Sequence, residues 1–298
     1  MKMSNADELE TAAHRRIAAQ WVAFGGQLSD IDERTPVDIE ALLAVTASHL
    51  VKDPRIVDVG VDWSVAHGQA VNGSRLRRVA TEIGVPDDDL ARFGGLVRAA
   101  GGPRWPFASS GLHAQNRGRV QVTTLETQAR LMWRLRAGFG VSVRTDILYA
   151  LLTLPASPVT LADIAGRIRS PKRMVARATA AMRLAGLVEV TRVGNQDRVR
   201  IPDPSWLRDA LEPDGAPAVD WVSRWAIVHR ISEVVSRTAD TRDSVRAIET
   251  RVAAEDVADL CRAAALPSPE LGSYGPLWRD EFDRWVGAIT VKLGHMGA

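Results

Sequence analysis

Apolar residues recur at three- and four-residue spacing through most of this chain, which predicts a mainly α-helical protein. Asp7 to Phe24 has that period and stops at Gly25-Gly26. Thr35-Pro36 predicts a second helix running through Val51, with proline suited to the first helical position. Asp53-Pro54 opens a third towards His67-Gly68, and Ser74–Ile83 and Pro86–Ala99 complete a helical first third. Periodicity fails between Gly101 and Arg119, where Gly, Ser, Pro and Asn collect. It resumes over Leu125–Ala137 and Val143–Leu154. After Pro202, Pro204, Pro213 and Pro217, three more helices are expected near 218–237, 242–265 and 276–293.

The pattern changes once, between residues 160 and 201. Thr160 and Asp163 have the spacing of a helix N-terminal cap, and Leu161, Ile164, Ala165 and Ile168 form an inward stripe. Ser170 can cap a second helix with Pro171 in its first turn. In that helix Met174, Val175, Ala178, Met182 and Ala185 share one face, and Lys172, Arg173, Ala176, Arg177 and Ala180 share the other. Gly186 ends it. Leu187–Val193 then alternates as a strand does, Gly194–Asp197 reads as a turn, and Arg198–Ile201 returns. Helix, turn, helix and hairpin in this order are the parts of a winged helix-turn-helix.

Charge singles out the same region. The chain carries a net charge of only +2. Residues 1–100 hold 11 basic and 15 acidic residues, residues 101–203 hold 16 and 6, and residues 204–298 hold 11 and 15. A cationic centre between acidic flanks suits a polyanion, because phosphate contacts release condensed counterions. Arginine far outnumbers lysine everywhere, so arginine abundance alone is no signal.

Residues 142–203 resemble the winged helix-turn-helix of ArsR/MarR-like bacterial transcription regulators. The small residue between the helices maps to Ala165, the inward valine to Val175, and the helix-to-wing junction to Ala185-Gly186-Leu187-Val188. Three positions depart: Arg169 stands where the turn usually has Gly, Ser170 where an apolar residue follows, and Thr179 where a core leucine is usual. The thiolate metal-sensing motif of some ArsR-type repressors is absent. Asp53-Pro54-Arg55, Asp62–Gly68, Arg75-Leu76-Arg77 and Arg134–Val141 look like a group of bacterial winged-helix proteins with helices on both sides of the wing. The resemblance implies sequence-specific double-stranded DNA binding by a transcriptional regulator, acting as a homodimer on paired half-sites. The candidate contacts are Arg169, Ser170, Lys172, Arg173 and Arg177 on the turn and second helix, with Arg192, Arg198 and Arg200 on the wing. Arg173 and Arg177 are placed to reach base edges, and Arg169 and Lys172 to reach phosphates.

The expected organisation is a helical N-terminal domain at 1–115, the winged helix-turn-helix at 116–203 and a helical region at 204–298. The last is the candidate dimer or effector region, with Trp221 and Trp225 one turn apart and Trp278 and Trp285 two turns apart. The effector, small molecule or protein, is unassigned. An alternative is a winged helix serving as a protein-interaction module in a larger assembly. A third reading takes Gly25-Gly26 with Asp30 and Asp32 as a nucleotidyltransferase site holding phosphate and magnesium; an acidic loop ahead of the next helix explains the same residues. Six histidines lack metal-ligand spacing, no Gly-rich phosphate loop with lysine occurs, and Cys261 is the single cysteine. No enzymatic activity, cofactor or metal is therefore expected. No apolar run is long enough to span a bilayer, and the first residues lack a signal peptide's apolar core, which predicts a cytoplasmic protein without membrane attachment.

Overall fold

Helix α1 (Asn5–Ala23) buries Leu9, Ala13, Ile17 and Trp21, the four-residue repeat that the sequence presents. It stops where Gly25 turns into the left-handed region at φ 89°, pressed against the Gln121 carbonyl so closely that no side chain fits. The computed structural model describes residues 5–28, 33–122, 124–154, 158–203, 205 and 219–294. Asp30, Asp32 and most of the proline linker lie outside the described residues.

Helix α2 (Ile39–Ala47) starts three residues later than Pro36 predicts. Residues 33–38 are instead extended bracing. Thr35 donates twice to Glu33, the Pro36 carbonyl accepts from the Trp221 indole, and the Asp38 carboxylate caps the helix at Ala41. All of α2 except Ala47 is buried, making it the central helix of the N-terminal bundle. Around it lie α3 (Pro54–His67), capped by Asp53 with proline in the first turn as expected, α4 (Gly73–Ile83) and α5 (Asp87–Ala99).

Next come α6 (Leu131–Phe139) and α7 (Val143–Thr153). Strand β1 (Val159–Thr160) leads into α8 (Leu161–Ile168), and α9 (Lys172–Leu184) is followed by β2 (Glu189–Val193) and β3 (Gln196–Arg200). The strands form an antiparallel sheet in the order β1-β3-β2. The two residues just before α8 thus join the hairpin, a pairing too short for periodicity to reveal. Helices α10 (Trp221–Thr238), α11 (Asp243–Ala263) and α12 (Pro276–Gly294) close the chain, within a residue or three of expectation. Among the described residues no helix is long and apolar enough to cross a membrane.

The expected boundaries at 115/116 and 203/204 do not separate cores. Arg117 and Arg119 donate their backbone N–H groups to Asp62 of α3, and residues 119–121 pair with Gly25–Gln27. Trp133 of α6 stacks on Phe24 at 5.5 Å and meets Trp63 at 5.1 Å. Trp221 and Trp225 of α10 are buried against the first helices, with Arg16 over the Trp221 ring. The tryptophans of these helices are core, as helical patterning implies.

An ionic network also crosses the boundary. Arg75 of α4 holds both oxygens of Asp38, reaches Glu40, and donates Nε to the Ile168 carbonyl at the end of α8. Arg136 of α6 bridges Glu40, Asp146 of α7 and the Ala70 carbonyl. All five side chains are buried. Shared hydrogen bonds make such a cluster tolerable away from water, and its removal one member at a time costly. Arg75 holds Asp38 well below the usual carboxylate range against the opposing effect of burial; for Asp146 burial dominates and pushes its carboxyl up.

Candidate nucleic-acid interface

The site begins at the turn between α8 and α9. The Thr160–Asp163 capping box is formed in both directions, with the Asp163 amide donating to the Thr160 hydroxyl at 3.1 Å and the Thr160 amide to Asp163 at 3.0 Å. Ile164 and Ile168 face inward and Ala165 is half-buried. Helix α8 ends with Arg169 in the left-handed conformation, φ 51° and ψ 49°. This is the position where the resemblance has glycine, and the conformation explains why: a Cβ there costs about 1–2 kcal/mol.

Arg169 is therefore not an open phosphate contact. Its guanidinium pairs with Glu82 of α4 at 2.8 Å and with Asp220 at 3.0 Å, and it also donates to the Ser223 hydroxyl at 2.9 Å. Its side chain is only 11% exposed. The Arg169 carbonyl in turn accepts from Arg78 Nε at 3.2 Å. The turn is clamped between α4 and α10.

Ser170 does not cap α9. Its amide returns to the Ala165 carbonyl at 3.1 Å, closing the end of α8, and Pro171 occupies the capping position without a side-chain bond. The inward stripe of α9 also shifts. Val175, Thr179 and Met182 are buried, whereas Met174 is 42% exposed and Ala185 lies in solvent. The buried Thr179 hydroxyl has no hydrogen-bond partner among the described residues.

The outward face carries the charge. Lys172, Arg173 and Arg177 are exposed, and none makes an ion pair among the described residues. From Ile164 to Val188 the sequence holds six basic residues and no acid. Arg144, in the first turn of α7, adjoins this face: with Met174, Arg177, Ala178 and Ala181 it lines a groove of about 300 Å³. It was not among the residues expected from sequence, because it lies 33 positions from Arg177 and only packing brings the two together.

The hairpin contributes less than expected. Arg200 pairs across the strands with Glu189 at 2.5 Å, in register. Arg198 is half-buried on the central strand, between Thr160 of β1 and Thr191 of β2. Arg192 alone stands exposed near the tip, 3.4 Å from the Asn195 side chain and across from Asp197.

Part of the positive charge of the middle third is paired or bonded within the fold. Arg136 is fully enclosed, Arg130 donates to the Ala23 and Thr124 carbonyls, and Arg117 and Arg119 face Asp58. The surface charge concentrates on α9 and the start of α7. Comparison with protein-family models, curated proteins and solved structures finds no match.

The Gly25-Gly26 turn has no spare donors for a phosphate. Gly25 donates to Val22, Gly26 to Trp21 and Gln27 to Arg119. A helix precedes the turn, and the glycines serve close backbone approach to residues 119–121.

Proposed function

We propose that this chain binds double-stranded DNA sequence-specifically as a transcriptional regulator, through a winged helix-turn-helix formed by α7–α9 and the β2–β3 hairpin. The observation that carries this reading is the outward face of α9, where Lys172, Arg173 and Arg177 project from a helix whose turn is held from two sides. A recognition helix enters the major groove by its N-terminal end, where these residues lie. Arg173 and Arg177, one turn apart, suit bidentate contacts to guanine; Lys172 and Arg144 suit the flanking phosphates. Arg192 is the wing residue placed for the backbone. Two copies would present two such helices to half-sites one helical turn apart.

Selection from a random duplex pool, followed by titration at several salt concentrations, tests the reading. Affinity should fall steeply with salt, and Arg173→Ala with Arg177→Ala should abolish base preference. Absence of binding at low salt, or affinity indifferent to both substitutions, refutes it. Sedimentation of the free and DNA-bound protein tests the dimer.

A protein-interaction module is the second reading, and one observation favours it. Leu184 is 87% exposed at the end of α9, and Leu187, three residues on, is exposed as well. Salt-insensitive capture of a partner that Leu184→Glu abolishes, with no DNA affinity, would support that reading instead.

A further inference from the structure

Helix α4 turns two faces to its surroundings. Arg75 points inward and holds the Ile168 carbonyl, while Ser74, Arg77, Arg78 and Thr81 face outward. With Pro106 and Phe107 these outward residues line an open cleft of about 340 Å³. Arg78 bonds the carbonyl of Arg169, three residues before Lys172, so the cleft adjoins the N-terminal end of α9. Consecutive Cα atoms are about 3.8 Å apart, which keeps Lys172 within roughly 11 Å of chain from that bond. Arg104 precedes the cleft residue Pro106 by two positions. It is exposed, and its neighbour Trp105 packs directly on Gly73 at the start of α4.

Two acids near this cleft are already paired. Arg77 faces Asp87 at 3.7 Å, and Glu82 is held by Arg169. Arg78 and Arg104 have no ion pair among the described residues. The Arg104 guanidinium, the terminal N–H groups of Arg78 and the Ser74 hydroxyl are donors for phosphate oxygens, while the Thr81 hydroxyl donates to the Arg77 carbonyl.

We infer that the N-terminal helical bundle is part of the DNA interface: the α4 cleft, through Arg78 and Arg104, grips the sugar-phosphate backbone beside the major groove that α9 enters. This rests on the DNA-binding reading above. A helix lying in a groove about 12 Å wide is flanked by phosphates, and a cation adjoining its N-terminal end meets the neighbouring strand. The contact carries no base information. It lengthens the footprint and fixes the docking angle of α9.

Fluorescence anisotropy on one selected duplex, from 50 to 200 mM salt, tests it with three proteins: wild type, Arg78→Gln with Arg104→Gln, and Arg78→Lys with Arg104→Lys. The glutamine pair should lower the slope of log affinity against log salt by about 1.8, since each phosphate contact adds about 0.9. The affinity lost over that salt range then shrinks about tenfold relative to wild type. Base preference should be unchanged. The lysine pair should keep the wild-type slope, which separates charge from the Arg78 bond that supports the turn. Arg104→Gln alone, at a residue with no such bond, should lower the slope by about half as much. A wild-type slope in the glutamine pair overturns the α4 contact while leaving α9 as the reader. A wild-type protein that binds no DNA removes the reading beneath it.

Discussion

Replacing Arg169 by glycine separates two roles for one residue. Glycine removes the left-handed strain, worth about 1 kcal/mol, and also removes the side chain that clamps the turn. The clamp joins Glu82, itself 37% exposed, to the mostly buried Asp220 and the Ser223 hydroxyl. The Glu82 pair is solvent-screened and contributes about 0.5–1 kcal/mol. The bonds to Asp220 and Ser223 contribute about 2 kcal/mol together, since they are charge-assisted and partly buried. The net expectation for Arg169→Gly is a loss of about 2 kcal/mol in urea denaturation followed by tryptophan fluorescence. Arg169→Ala keeps the strain and loses the clamp, so it should lose about 3 kcal/mol. The difference between the two variants isolates the strain. The same variants decide whether Arg169 touches phosphate. A clamping residue leaves the salt slope of DNA binding unchanged, whereas a phosphate contact lowers it by about 0.9. A glycine variant as stable as wild type, with a reduced slope, would refute the clamp and restore the phosphate role.

Three further outcomes test the fold. Arg75→Met leaves Asp38 charged without its buried partner, leaves Glu40 to Arg136 alone, and frees the Ile168 carbonyl; a loss of about 3–5 kcal/mol is expected in the same urea titration, and a loss below 1 would show that the network is dispensable. Thr179→Val keeps the shape of the side chain and removes a buried hydroxyl without a partner, so the urea midpoint should rise by the equivalent of about 1 kcal/mol; a fall would mean the hydroxyl is satisfied. His229 is buried against the His49 ring at 4.4 Å, and burial, with His49, brings its pKa down to about 4. The unfolded chain then takes up the proton first, so stability is full above about pH 6.5, falls by roughly 3 kcal/mol towards pH 4, and levels off below. His229→Leu should show a smaller loss between pH 7 and pH 4.5, and an equal loss would assign the effect to other groups.

The helices were legible because each has a local cause. Asp53-Pro54, Thr160 with Asp163, and Gly186 mark ends through bonds reaching three or four residues, and the apolar period marks the faces between. The second helix misled for the converse reason. Pro36 has the chemistry of a helix start, but its carbonyl is held by Trp221, 185 residues away, and the helix begins at the next available cap, Asp38. Strand β1 was invisible because two residues have no period. The boundary expected at 115/116 misled because gaps in periodicity record loops, and the loop at 117–121 is a packed one, bonded to Asp62 and Gly25.

The candidate site was legible where a side chain has no partner and misleading where it has one. Lys172, Arg173 and Arg177 follow from helical spacing alone, because a residue that meets only solvent is described by its own helix. Arg169 and Arg200 look the same in sequence. What distinguishes them is remote or cross-strand: Glu82 lies 87 residues from Arg169 and Asp220 lies 51 away, while Arg200 meets Glu189 through strand register. Local charge therefore overstates a binding surface wherever acidic flanks fold back onto it. Here the flanks reach the helix-turn-helix at its turn, through Glu82 and Asp220, and among the described residues they leave the outer face of α9 unpaired. A folded-back acid on α9 would neutralise its outer face; acids that grip the turn instead leave that face cationic. That difference in placement makes the acidic flanks a support for the basic helix, and it is why substitutions in Glu82 or Asp220 should act on stability while those in Arg173 or Arg177 act on binding.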